Sequence, residues 1–121
     1  MGDRATIILK EEKGNCIYVY THWHGSEFSD MLKKAMIKAK ARWDDEVYCN
    51  RVLITELCKP AKDEIIGFGV STYPIESENP VLEVDHGERV VRVLSNEEFG
   101  YDDYRRKVIR EFSFEAFIES E

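Results

Sequence analysis

The sequence has no apolar run near the roughly 18 residues that a membrane-crossing helix requires, so a helical membrane span is not expected. The N-terminus also lacks the apolar stretch of a signal peptide, and the expectation is a cytoplasmic protein without a membrane partner. Met1-Gly2 followed by Thr6 fits the loose myristoylation pattern, but Ala5-Thr6-Ile7 is better used as strand. Cysteine is sparse. Cys16, Cys49 and Cys58 are odd in number and show no CxxC spacing, which points to reduced thiols and away from a disulfide framework. Neither GxxxxGK[ST] nor GxGxxG occurs, so the phosphate loop and the dinucleotide fingerprint are both missing. A basic excess is missing too. Lys and Arg total 17 against 24 Asp and Glu, for a net charge of −7. Direct nucleic-acid binding needs a basic footprint and is therefore not expected; a basic protein partner is compatible.

What is present is a foldable chain. Hydrophobic residues make up 43% and aromatic residues 12% of 121 positions, which excludes disorder on composition. There are no repeats and no low-complexity linker, so residues 1–121 read as one domain. Thr6-Ile7-Ile8-Leu9 and Cys16-Ile17-Tyr18-Val19-Tyr20-Thr21 read as strands, and Gly14-Asn15 between them signals a hairpin. Over residues 28–43, Phe28, Leu32, Ala35, Met36, Ala39 and Trp43 fall on one arc of about 100°. That predicts a helix, with Ser26 or Ser29 as its cap. Asp44-Asp45-Glu46 opens a second helix that Lys59-Pro60 ends.

Residues 65–72 read as a third strand and residues 74–80 as an irregular loop. Val81-Leu82-Glu83-Val84-Asp85 and Val90-Val91-Arg92-Val93-Leu94 form a second hairpin about His86-Gly87-Glu88. Residues 95–104, with Glu97, Glu98, Asp102 and Asp103, read as a polar surface loop. Lys107 to Glu111 offers an edge strand, and Ser113 caps a short helix at residues 114–118. The expected fold is α+β, an antiparallel sheet of about five strands with two or three helices on one face.

The hairpin folds two distant pieces of chemistry together. Asp3-Arg4 enters the first strand and His22-Trp23-His24-Gly25 leaves the second, so they share one end of the sheet. Arg4 offers a planar fork for phosphate or carboxylate. His22 or His24 can serve as acid or base near neutral pH, Asp3 can orient an imidazole, and Trp23 presents an aromatic face. Gly25-Ser26 then leads into a helix N-terminus, where free N–H groups favour anions. His22-x-His24 also places two rings on one side of a strand, with Asp3 or His86 as a third metal ligand, but no Cys or Glu stands at ligand spacing. No metal and no cofactor is therefore expected. Arg42-Trp43-Asp44-Asp45 has a site-like composition but lies about 22 Å away along the helix and reads as a helix–helix corner. In Gly67-Phe68-Gly69-Val70-Ser71 the glycines bare one strand face, to be covered by a close-packed helix.

The segments Gly2-Asp3-Arg4-Ala5, Thr21-His22-Trp23-His24-Gly25, Arg42-Trp43-Asp44-Asp45 and Gly67-Phe68-Gly69-Val70-Ser71 carry a resemblance. The chain resembles a family of small, uncharacterised phage and bacterial proteins with GDRA, THWxG, RWDD and GFGxS segments, across roughly residues 2–85. In that pattern glycine stands where this chain has His24, which favours His22 over His24 as the functional histidine. The resemblance implies a phage setting and no reaction.

The residues and the resemblance together lead to a non-catalytic expectation. The protein binds a small anionic ligand or a host protein through Asp3, Arg4, His22 and Trp23, in host takeover or anti-defence. One alternative is a hydrolase of a nucleotide or phosphate ester, with His22 as acid/base and Arg4 holding the anion. The other is an acidic mimic of nucleic acid that binds a basic host protein, built from acids between residues 76 and 103 with Glu115, Glu119 and Glu121.

Overall fold

The computed structural model describes residues 2–96 and 107–120. Among them six strands form one sheet: β1 (Ala5–Lys10), β2 (Cys16–Thr21), β3 (Phe68–Ser71), β4 (Val81–Asp85), β5 (Val90–Leu94) and β6 (Val108–Ser113). Three helices, α1 (Phe28–Lys38), α2 (Glu46–Leu57) and α3 (Phe114–Glu119), complete the α+β fold. The sheet order is β3-β2-β1-β4-β5-β6.

One expectation is corrected: the sheet is mixed. β1 pairs in parallel with β4, with Ile7 opposite Leu82, while the remaining pairs are antiparallel. The chain leaves β3 and crosses the sheet over residues 72–80 before β4 begins. The Thr6 hydroxyl donates to the Ile75 carbonyl along this path, and the Glu78 amide to the Arg4 carbonyl. That crossing covers part of the face opposite the helices, where Ile8, Tyr18, Val81 and Leu94 form a small second core. The main core lies on the other face. Ile7, Leu9, Val19, Val84 and Val91 meet Phe28, Leu32 and Met36 of α1, Leu53 and Leu57 of α2, and Phe114 and Phe117 of α3.

α1 is shorter than the apolar arc implies. It ends at Lys38, and a 3-10 turn at Lys40–Arg42 follows. Trp43 sits at the end of the same buried stripe, and its indole N–H donates 3.0 Å to the Met36 carbonyl. In a continuing α-helix that carbonyl would accept from residue 40. The side chain has taken the place of a helical bond, and the chain tightens there. α2 begins in the acidic run as expected, but its cap is Asp45, which accepts from the Tyr48 amide, and not Asp44, which pairs with Arg89; Ser113 caps α3 through the Ala116 amide.

β3 is also shorter than the strand expected at residues 65–72. Gly67 has φ +96°, outside extended backbone, so pairing with β2 starts only at Phe68. Most of the acidic stretch expected as a surface loop at residues 95–104 lies outside the described residues.

Candidate functional site

The hairpin brings its two ends together as expected. Ala5 lies opposite Thr21, and the Asp3 amide donates 2.7 Å to the His22 carbonyl. Asp3, Arg4, His22, Trp23 and His24 all stand at this end of the sheet. Most of their polar groups already have partners.

Asp3 serves the backbone. One carboxylate oxygen accepts from the Ser26 amide at 2.8 Å and the Ser26 hydroxyl at 2.7 Å; the other accepts from Asn79 at 2.9 Å. The Ser26 hydroxyl, then Asn79, then the Ser26 amide hold its carboxyl below the usual range. An anion therefore already occupies the turn that enters α1, and it belongs to the chain itself. Neither serine expected as a cap caps the helix: the N-cap position is Glu27, without a side-chain bond, and Ser26 is instead held by Asp3.

Arg4 is similarly committed. Its guanidinium meets Glu76 at 2.5 Å and lies 3.9 Å from Glu78, and Glu78 also accepts from the Arg4 amide. Both acids come from the crossing segment, more than seventy positions along the chain.

His22 shares a 3.0 Å hydrogen bond between its Nδ1 and the Tyr20 hydroxyl. Its Nε2 is crowded by Gly2, where a β-carbon would lie 2.8 Å from it. Trp23 meets the His22 ring edge-on at 4.8 Å and covers Gly67, where a β-carbon would lie 2.7 Å from the indole. His24 stacks on Phe68 at 5.4 Å and approaches Glu27 at 3.3 Å. The glycines at 67 and 69 are thus covered by Trp23 and Tyr20, not by the helix expected there. The indole stands 2.7 Å from the Gly67 β-carbon position, and the Tyr20 ring of β2 makes ordinary contact, at 4.0 Å, with that of Gly69.

His86 cannot complete a metal set with His22 and His24. Its amide bonds to the Lys10 carbonyl at the opposite end of β1. Among the described residues, no group of three His, Cys, Asp or Glu side chains is placed to hold a metal ion.

Three cavities stand out. One of about 520 Å³ lies at the far end, lined by Glu12, Trp43, Asp44, Glu46, His86 and Arg89 among others. It joins the Arg42-Trp43-Asp44-Asp45 corner to the β4–β5 turn. Its charges are largely paired: Arg89 with Asp44, Glu46 with the Glu12 amide, and Asp45 with the Tyr48 amide. His86 is buried there and bonds Asn50 at 2.7 Å, and desolvation, outweighing Glu46 and Asp85, pulls its pKa down. The second, of about 410 Å³, is a largely apolar groove between α1 and the residues after α2, with His24, Met31, Lys34, Lys59 and Lys62 in its walls. The third, about 200 Å³, lies beside Gly25, Ser26, Asn79 and Leu82. None of Asp3, Arg4, His22 or Trp23 lines any of these three. His24, set aside by the resemblance, lines the second.

The thiols offer no nucleophile at these sites. Burial pushes Cys49 up to about 11 and raises Cys58 as well, so both stay protonated near neutral pH.

No protein-family model, curated protein or solved structure matches this chain.

Sequence pattern did not single out the exposed apolar row along β3 or the groove behind it. Ile65, Ile66 and Val70 fall within the strand expected at residues 65–72 and Tyr73 just beyond it, and only the sheet order makes β3 an edge. A short apolar run holding two glycines and no charge was the available signal.

Proposed function

We propose that this protein is a non-catalytic binding domain whose partner is a protein, taken up as an extended segment along the free edge of β3. The observation that carries this reading is the contrast between the two edges of the sheet. β6 is protected: it carries Arg110 and Glu111 and has a register irregularity opposite Val93 and Leu94. Charges and bulges of this kind deter a further strand. β3 has neither, reading Phe68-Gly69-Val70-Ser71. Exposed apolar side chains flank it: Trp23 (50%), Ile65 (97%), Ile66 (62%), Val70 (54%) and Tyr73 (54%). Among the described residues no strand pairs with the outer side of β3, and an open edge beside exposed apolar side chains suits strand addition.

Trp23 thereby keeps the contact role expected of it. Asp3 and Arg4 build the sheet end that presents it, and His22 supports the indole edge. A net charge of −7 favours a segment with basic flanks. In the phage setting that the resemblance implies, the partner is a host protein and the role host takeover or anti-defence. The hydrolase alternative asks for an Arg4 free to hold an anion and a His22 open to substrate, whereas both are engaged within the fold.

The test is site-specific photocrosslinking from Tyr73 and, as control, from Ile109 of β6. Any protein captured is then titrated in purified form. The expected result is capture from Tyr73 alone, with binding lost in Val70→Lys and kept in Ile109→Lys. Equal loss in both variants overturns the edge reading. A homodimer that Val70→Lys dissolves would put a second copy on that edge and overturn the foreign partner. Turnover of a nucleotide or phosphate-ester panel that His22→Ala abolishes would overturn the non-catalytic reading.

A further inference from the structure

The groove between α1 and residues 59–62 shares none of the exposed apolar residues of the β3 edge and has a chemistry of its own. Its floor is apolar, from Met31, Ala35 and Pro60, and its volume of about 410 Å³ falls in the range of small-molecule sites. Methionine adapts to an irregular apolar body. The walls carry Lys34, Lys59, Lys62 and His24 against Glu27 and Glu56.

Of the two acids in these walls, Glu56 is already answered by lysines. Glu56 is met by Lys38 at 3.2 Å and Lys59 at 3.4 Å, and these ammonium groups hold its carboxyl down against the desolvation that would raise it. Glu27 lies 3.3 Å from His24. Lys34 and Lys62, by contrast, take part in no ion pair among the described residues. Two uncommitted cations therefore stand over an apolar floor in a chain whose net charge is −7. Lys62 also has φ +50°, a conformation that residues with side chains adopt rarely. The fold holds a lysine where glycine would be less strained.

We infer that this groove is a binding site for a small amphiphile with an anionic head and an apolar body, a medium-chain carboxylate being its simplest member. The apolar body lies over Met31, Ala35 and Pro60, and the head pairs with Lys34 and Lys62, whose methylene stems extend the apolar wall. Neither an acidic peptide nor inorganic phosphate would use the floor, and a neutral chain would leave both cations unpaired. The site is separate from the β3 edge and stands or falls without the proposed partner.

The probe is decanoate below its micellar concentration, titrated calorimetrically at physiological salt beside decanol and decyltrimethylammonium. Saturable decanoate binding is expected, about tenfold tighter than decanol, the difference two partly exposed ion pairs can supply. Lys34→Gln combined with Lys62→Gln should bring decanoate to the level of decanol. The control pair, Lys13→Gln with Arg51→Gln, removes the same charge elsewhere and should change nothing. Absence of saturable decanoate binding overturns the inference, as does equal affinity for decanol. Equal weakening by the control pair would make the effect diffuse electrostatics and also overturn it. So would binding to anionic vesicles with no uptake of monomeric decanoate.

Discussion

Gly25 has no room for a β-carbon, because the Asp3 carbonyl and the Asn79 amide nitrogen already fill that space. Gly25→Ala should therefore destabilise the fold by at least about 2 kcal/mol, the range of overpacking at a rigid site, as read by urea denaturation. Asp3→Ala should lower the melting temperature, since Ser26 and Asn79 lose their shared acceptor. The pairing of Asp3 with His22 was legible because a hairpin fixes who sits beside whom. The partners of Arg4 were not, because Glu76 and Glu78 arrive on a segment that no local pattern links to residue 4. At the far end, His86 gives a pH signature. Desolvation lowers its folded pKa below the unfolded value of about 6.5. Below that unfolded value the unfolded chain binds the extra proton first, so stability is complete above about pH 6.5 and falls toward the lower folded pKa. Thermal melts between neutral and mildly acidic pH should show this decline, and His86→Gln should flatten it.

Among the elements, α1 shows a side chain overriding a periodicity. The apolar arc runs through to Trp43, and all its members are buried, so the pattern correctly identified one face. It could not reveal that the Trp43 indole claims the Met36 carbonyl and ends the α-helix early. Trp43→Phe should cost about 1–3 kcal/mol for that buried acceptor left unpaired, with chemical denaturation as the readout. A larger loss would mean that packing against Phe114, 5.3 Å away, dominates. The two edge strands make a second comparison. Both expose apolar side chains, but Arg110 and Glu111 guard β6, whereas β3 has nothing comparable. Strand identity was readable from β-branched content; which strands stand at the edges is decided only by long-range pairing. Lys62→Gly should leave stability unchanged or raise it by up to about 1 kcal/mol, by relieving the positive φ.

Across the whole molecule, one cation organises the charges on the face opposite the helices. Arg92 bonds Glu83 and Asp85 at 2.8 Å and Glu111 at 2.7 Å, tying β4, β5 and β6 together. Burial works against its charge, but the three carboxylates outweigh it and raise its pKa. Arg92→Met should cost about 3 kcal/mol, because Asp85 would be left buried and short of its main partner. Adding Asp85→Asn and Glu83→Gln should recover part of the loss in the same denaturation experiment. The α+β class and the helices were legible because each rests on a local period or cap. The parallel pairing of β1 with β4 was not, because nothing near either strand names the other.

That pairing also sets a timetable. Leu82 lies 75 positions after its partner Ile7. During synthesis the β1–β2 hairpin and both following helices leave the ribosome while one flank of β1 still waits for its neighbour. Until β4 emerges, the middle of the future sheet is an open border, and the nascent chain must be kept from joining another copy there. A ribosome stalled before residue 81 should hold a protease-sensitive chain, and one released beyond β6 a resistant one.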